Sequence, residues 1–130
     1  MKKLIFIAIA LLAVPVFAAE QMGFARGNEP TAASYSPDPA FAYNSMGGAI
    51  TVKRLATGKY TVTFDGLVKN GLKKSNVQAS VWGSGAQNCG IRSWLRPAGT
   101  DDFQVNLHCV SVTTGADVDT RWSILATIIQ

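Results

Sequence analysis

Apolar and polar side chains alternate with a period of two along much of the chain after residue 18, and helical periodicity is absent there. Gly and β-branched residues are frequent, and turn signals recur about every ten residues. This pattern predicts an all-β fold. We expect an antiparallel β-sandwich or flattened barrel of about seven to eight strands.

The segment from residue 49 to 65 predicts a β-hairpin with its turn at Ala56-Thr57-Gly58. Centring the hairpin on Thr57 places three pairs on one face: Ile50 opposite Phe64, Val52 opposite Val62, and Arg54 opposite Tyr60. The other face then carries Thr and charged side chains. One apolar and one polar face are expected for an antiparallel pair that covers a core.

A second hairpin is predicted over residues 88–110, with its turn at residues 96–100. Centring it on Gly99 gives four inward pairs: Cys89 with Cys109, Ile91 with Leu107, Ser93 with Val105, and Leu95 with Phe103. A slip of one residue would reverse one strand and destroy this match. The hydrophobic pattern and the cysteine pair therefore predict the same register.

Cys89 and Cys109 are the chain's two cysteines, and we interpret them as a structural disulfide between neighbouring strands. The bridge would close a loop of about 20 residues and stabilise the fold by roughly 3 kcal/mol. A redox pair would normally show a CxxC motif, which is missing. A metal site would need more His or Cys ligands than the chain has.

The preceding segment, Ser75 to Trp82, is expected to be a strand that pairs with the second hairpin through a turn centred on Gly85. This pairing places Val81 beside Cys89 and Ala79 beside Ile91. One outward face would then carry eight candidate binding residues: Gln78, Ser80, Trp82, Arg92, Trp94, Gln104, Asn106 and His108. Aromatic rings beside planar hydrogen-bond donors suit sugar rings and also protein partners. The alternative is that a loop covers either tryptophan.

The first residues have the pattern of a secretory signal peptide: Met1-Lys2-Lys3, an apolar run from Leu4 to Val14, and small residues at the end of Val16-Phe17-Ala18. We expect cleavage after Ala18, which leaves residues 19–130 as one β-sandwich-like domain in the periplasm or outside the cell. The run is short for a membrane span, although an uncleaved anchor remains the alternative. No cysteine stands at the cleavage site to carry a lipid, so we expect no membrane anchor.

Charge and composition argue against nucleic-acid, metal and cofactor binding. The chain has 12 basic and 8 acidic residues, and removing Lys2 and Lys3 leaves 10 basic residues and a net charge of +2. No basic stripe remains, so we expect no nucleic-acid partner. Asp117 and Asp119 could begin a calcium loop, but no further carboxylate follows at a useful distance. We expect neither a metal nor a cofactor.

We predict no catalytic residues and a non-enzymatic, exported binding or interaction module whose ligand is a carbohydrate or a protein. Two alternatives remain open. A small secreted hydrolase could use His108, the sole histidine, with an aspartate. A protein inhibitor could insert a loop such as Ser36-Pro37-Asp38-Pro39 into a target enzyme.

Several strings between residues 26 and 126 form a common pattern: Asn28 to Tyr35, Tyr43-Asn44-Ser45 before Gly47-Gly48, Gly58 to Phe64 before Gly66-Leu67, Val81-Trp82-Gly83, Cys89 with Ser93-Trp94, Val105-Asn106-Leu107 with Cys109, and Asp119 with Arg121. Together they resemble a β module of secreted bacterial proteins that often occurs in tandem copies and has the same two-cysteine core. The resemblance implies an exported β fold. It implies no functional residues, because that module has no established activity.

Overall fold

The computed structural model describes residues 20–129, which form two antiparallel β-sheets with their inner faces packed together. The prediction of an all-β sandwich is confirmed, although the described residues form nine strands and not seven to eight. The signal peptide predicted for residues 1–18 lies outside the described residues.

The strands are β1 (Gln21–Gly27), β2 (Ser34–Tyr35), β3 (Ala42–Asn44), β4 (Ile50–Ala56), β5 (Lys59–Phe64), β6 (Lys74–Val81), β7 (Gln87–Leu95), β8 (Phe103–Ser111) and β9 (Trp122–Ile129). A short 3₁₀ helix, Pro39–Phe41, precedes β3. The four-stranded sheet has the order β3-β1-β9-β6, and the five-stranded sheet has the order β2-β4-β5-β8-β7.

The core lies between the sheets, because each central strand buries every second side chain. In β9 the buried residues are Trp122, Ile124, Ala126 and Ile128, as the alternation of that strand predicts. Across from them, β5 and β8 bury Tyr60, Val62, Phe64, Phe103, Val105 and Leu107. The connection after β5 adds Leu67 and Val68, which are fully buried.

The first hairpin forms with the predicted register, including Ile50 opposite Phe64 and Val52 opposite Val62. Its turn contains Gly58 at φ +68°, a left-handed conformation that favours glycine. A Cβ atom at this position would overlap the carbonyl oxygen of Cys109. The turn therefore requires glycine for both its backbone conformation and its close approach to β8.

The disulfide between Cys89 and Cys109 is present, and both residues are buried. Cys109 donates its N–H to Gly58 and accepts from the N–H of Val118, so neither backbone group is directed at β7. The two cysteines are therefore a non-hydrogen-bonded pair, the cross-strand position at which side chains come closest. The predicted pairing is confirmed.

Beyond Ile91 the predicted register of the second hairpin is wrong. Arg92 is an extra residue in a β-bulge, so Ser93 pairs with Asn106, and Leu95 pairs with Gln104. The bulge reverses the faces of the following residues. Trp94 and Leu95 are both apolar and adjacent, so alternation alone did not determine which of them turns inward.

The predicted pairing of β6 with β7 is also wrong. β6 pairs with β9 along its whole length, from Lys74 opposite Ile129 to Val81 opposite Trp122. Residues 82–86 then carry the chain across to the other sheet, and both glycines of that connection have positive φ angles. The two strands are edge strands of different sheets, so their consecutive order does not make them partners.

Candidate functional site

The eight candidate binding residues do not form one face. Gln78 and Ser80 are exposed on the outer side of the four-stranded sheet, and Trp82 follows them at the end of β6. Arg92, Gln104, Asn106 and His108 belong to the outer side of the five-stranded sheet, on the opposite surface of the sandwich. A single face would require β6 to pair with β7, and β6 pairs with β9.

Trp94 belongs to neither outer face. It pairs with buried Val105, so its side chain turns toward the other sheet, and its Nε1–H donates to Ser75 Oγ in β6 at 2.7 Å. The indole thus spans the gap between the two edge strands, with 39% of the residue exposed. The prediction that Trp94 faces outward beside Arg92 is wrong, because the bulge rotates it inward.

On the five-stranded sheet, Arg92, His108, Asp117 and Lys59 form a chain of polar contacts. The Arg92 Nη2 atom lies 2.6 Å from His108 Nδ1, and His108 Nε2 lies 2.6 Å from Asp117 Oδ1. Arginine only donates, so Nδ1 accepts and the ring proton sits on Nε2. Hydrogen bonds from His108 and from Lys59 lower the pKa of Asp117.

The hydrolase alternative requires His108 to act as a base, and the contacts of its ring restrict that role. His108 and Asp117 do pair, but the other ring nitrogen is occupied by Arg92. Among residues 20–129, no serine hydroxyl is hydrogen-bonded to His108. The imidazole would have to leave Arg92 before it could take a proton from a nucleophile.

Asn106 on the same surface is also hydrogen-bonded to neighbouring side chains. Asn106 accepts from the Thr61 hydroxyl at 2.7 Å and donates to the Ser93 hydroxyl at 3.0 Å. Binding a ligand through Asn106 or His108 would therefore require breaking existing hydrogen bonds. Gln104, two residues before Asn106 in β8, pairs with Leu95 of β7 on one side and with Thr63 of β5 on the other.

The outer side of the four-stranded sheet differs because an aromatic half meets a polar half. One cross-strand row runs Tyr43, Phe24, Leu125, Gln78, and the next runs Arg26, Ser123, Ser80. We call these seven side chains the outer platform. Its aromatic half consists of Tyr43, Phe24 and Leu125, and its polar half consists of Arg26, Ser123, Ser80 and Gln78. Tyr43 is 54% exposed and Leu125 is 37% exposed, and both serine hydroxyls are hydrogen-bonded to each other at 2.8 Å.

The two halves of the outer platform border a shallow hollow. It has a volume of about 140 Å³ and is lined by Phe24, Gln78, Ala79, Ser80, Ser123, Ile124 and Leu125. Within the described residues the Gln78 side chain makes no hydrogen bond, so its amide is available to a ligand. The outer platform therefore offers apolar ring faces and, in the same row, an unengaged amide.

Trp82 closes one end of the outer platform and is half-buried. Its Nε1–H donates to the carbonyl of Trp122 at 3.1 Å, which holds the ring in place. The guanidinium carbons of Arg26 and Arg121 each lie 5.2 Å from the ring centroid. Arg26 also stacks on Phe41 at 5.0 Å.

Sequence reasoning missed the contributions of β1, β3 and β9 to this surface. In β1 the usual pattern is inverted, since Gly23 and Gly27 face inward while Phe24 and Arg26 face outward. A Cβ at Gly27 would overlap the Trp122 ring, so glycine is needed for packing. Alternation of large side chains with glycine was the signal that could have identified this strand.

The aspartates considered for calcium and the loop considered for an inhibitor both have structural partners. The carboxylates of Asp117 and Asp119 bind basic side chains, Asp117 contacting Lys59 and Asp119 contacting Arg54. Among the described residues no group of three or more His, Cys, Asp and Glu is placed to hold a metal ion. In the loop of residues 36–39, Pro37 is buried and Asp38 caps the 3₁₀ helix, so the loop is anchored to the fold.

No known protein family, curated protein or solved structure matches this chain. The resemblance to a two-cysteine module thus stays an expectation. Across residues 20–129, no helix has the length and apolar character needed to cross a membrane.

Proposed function

We propose that this chain is an exported, non-enzymatic binding module that holds a carbohydrate against the outer platform. The row Tyr43, Phe24, Leu125, Gln78 carries the proposal, because it places two aromatic rings on adjacent strands and an amide in the same row, one strand beyond Leu125. A sugar ring has an apolar C–H face and polar hydroxyls at its rim. It could pack on the aromatic half while its hydroxyls bond the polar half.

An unengaged amide in the same row as aromatic rings favours the outer platform over the opposite surface. Among the described residues, neither Gln78 nor Gln104 makes a side-chain hydrogen bond, but the row of Gln104 contains Leu95 and threonines in place of Phe24 and Tyr43. Asn106 and His108 on that opposite surface are already bonded to neighbouring side chains. A ligand that hydrogen-bonds to Gln78 displaces only water from the amide. A ligand that hydrogen-bonds to Asn106 must also break its bond to Thr61 or Ser93. This comparison moves the proposed contact surface from the second hairpin to the four-stranded sheet.

Export is part of the proposal. The disulfide is compatible with an oxidising compartment, because such bonds persist outside the reducing cytosol. The signal-peptide pattern of residues 1–18 points the same way. The destination we propose is the periplasm or the extracellular space.

A protein partner is the second candidate, and exposed apolar side chains around the outer platform favour it. Met22, Phe41 and Met46 are each about two-fifths exposed there. Aromatic, Met and Arg side chains are enriched at protein interfaces, whereas Lys, Glu and Asp are depleted. An interface of this kind would use the same aromatic half.

The test is a binding screen of the purified chain against a panel of soluble and insoluble glycans, monitored by tryptophan fluorescence and by calorimetry. Tyr43→Ala should weaken binding about tenfold, or roughly 1.4 kcal/mol. Leu55→Ala is the matched control, since Leu55 is exposed on the five-stranded sheet. Glycan binding that is unaffected by Tyr43→Ala would overturn the assigned surface, and binding of a protein but no glycan would favour the second candidate.

A further inference from the structure

The side chains of two of the five arginines have no anionic or hydrogen-bonding partner among residues 20–129. Arg54 pairs with Asp119, Arg96 with Asp101, and Arg92 binds His108. Arg26 and Arg121 make no such contact with the described residues, and both stack on the ring of Trp82. The Asp119 carboxylate, two residues before Arg121, is taken by Arg54.

The contact with the ring leaves the N–H donors of these guanidinium groups without partners among residues 20–129. Each guanidinium has five N–H donors in a fixed planar fork. The hydrogen bond from Trp82 Nε1 to the carbonyl of Trp122 fixes the ring that both arginines contact. The donors are therefore held in place before a ligand arrives, which lowers the entropy that is lost on binding.

The two cations are also close to each other. Each guanidinium carbon lies 5.2 Å from the same ring centroid, so they are separated by no more than about twice that distance. Screening in physiological salt acts over roughly 8 Å, which is comparable with this upper bound, so repulsion between the two charges is only partly screened. An anion bound near both of them would relieve this repulsion and gain charge-assisted hydrogen bonds.

The position of Arg26 connects this pair to the carbohydrate surface. Arg26 stands in the same cross-strand row as Ser123 and Ser80, two residues along β1 from Phe24. Two residues of a strand span about 7 Å, which is a short distance compared with an oligosaccharide. A sugar on the aromatic half would thus place its own substituent, or that of its neighbour, at the arginines.

We infer that the ligand of the outer platform is an acidic glycan whose anionic group, a carboxylate or a sulfate, is bound by Arg26 and Arg121 beside Trp82. This inference rests on the proposed function. Carboxylates and sulfates are acceptors that match the guanidinium fork, and a neutral glycan offers only hydroxyls there. The aromatic half then supplies affinity for the sugar, and the arginine pair supplies selectivity for its charge.

The experiment compares polygalacturonate with the same polymer after methyl esterification, which removes the negative charge and keeps the sugar. The purified chain should bind the acidic form about tenfold more tightly. Arg26→Gln and Arg121→Gln should each remove most of this preference and leave binding of the ester unchanged. Lys53→Gln is the matched control, since it removes one positive charge from the exposed outer side of the five-stranded sheet.

A parallel arm uses heparin and desulfated heparin. A preference for heparin that Arg26→Gln and Arg121→Gln abolish supports the same inference with sulfate as the anion. The melting temperature of each variant is recorded, and Arg26→Lys is included because it keeps the charge but loses the planar fork. Folded Arg26→Lys should lose part of the selectivity for the acidic polymer. If it keeps the full selectivity, the contribution of Arg26 is purely electrostatic, and a contact through the planar guanidinium is contradicted.

The remaining outcomes separate this inference from the proposed function. Equal binding of acidic and neutral polymers, with both lost in Tyr43→Ala, would sustain the carbohydrate module and overturn the acidic ligand. Equal weakening by Lys53→Gln and the arginine variants would show attraction to net charge and would also overturn it. Binding to no glycan at all would overturn both proposals together.

Discussion

Arg54 donates to both carboxylate oxygens of Asp119, from Nε to Oδ1 at 3.0 Å and from Nη2 to Oδ2 at 2.7 Å, across 65 residues of chain. The same carboxylate accepts from the Gly58 N–H at 2.8 Å and from the Tyr60 hydroxyl at 2.9 Å. It thereby joins the first hairpin to the loop before β9. Burial, together with the adjacent carboxylate, raises the pKa of the Tyr60 hydroxyl well above its usual range.

Stability should depend on the charge of Asp119 at low pH. The hydrogen bonds from Arg54, reinforced by those from Gly58 and Tyr60, lower the pKa of Asp119 from 3.8 to about 2. A carboxylate with a depressed pKa in the folded state stabilises the fold above its unfolded pKa, and the contribution disappears as pH falls through the folded pKa. With allowance for solvent screening, Asp119→Asn should cost about 1–2 kcal/mol at pH 7 and much less at pH 2, measured by urea unfolding. An equal cost at both pH values would contradict the ionic interpretation.

Gly58→Ala should destabilise the fold more than a glycine replacement at an open turn. The new Cβ would overlap the Cys109 carbonyl oxygen and add contact strain to the unfavourable positive φ. Gly99→Ala is the matched control, because Gly99 has φ +76° and a Cβ placed there would meet no atom within 4 Å. We expect a loss of about 1 kcal/mol at Gly99 and at least about twice that at Gly58. Thermal unfolding of the two variants gives the comparison.

The disulfide should contribute substantially to stability. Replacing Cys89 and Cys109 together by alanine should reduce the free energy of unfolding by about 3 kcal/mol, because the unfolded chain regains the freedom of a loop spanning 20 residues. Urea unfolding of the double variant, and of the unmodified chain with and without reductant, measures the effect. Two reactive thiols in the unreduced, denatured chain would contradict the bridge.

Trp94 should act on stability through its bond to the other sheet. Trp94→Phe keeps an aromatic ring and removes the Nε1–H that donates to Ser75, so we expect a loss of about 1 kcal/mol. Ser75→Ala should cost a similar amount, and the double variant should cost less than the sum. Full additivity of the two changes would show that the contact between the sheets does not form. Glycan binding on the outer platform should be unaffected by either change.

The two hairpins show how far local patterns predicted this fold. The turn at Gly58 and the pair Ile50 with Phe64 follow from a short connection and from strict alternation, so the register was correct. Cys89 and Cys109 were paired correctly because they are the chain's two cysteines and their pairing agrees with Ile91 opposite Leu107. The prediction became wrong at Arg92, because a bulge inserts one residue without interrupting the apolar pattern.

The candidate site was predicted only in part. The outward orientation of Gln78 and Ser80 in β6 followed from alternation, and both are exposed. Their neighbours could not be obtained in that way, because Phe24 and Leu125 come from strands that lie far apart in the sequence. Arg26 and Arg121 share the ring of Trp82 for the same reason.

By itself, then, the sequence determined the class of fold, the first hairpin and the cysteine pair, since these depend on side-chain period and on short turns. The tertiary structure alone decided which sheet each strand joined, because a strand alternates in the same way whichever neighbour it bonds. That choice paired β6 with β9 and created the outer platform from strands that are far apart in the sequence, while the bulge at Arg92 turned Trp94 inward.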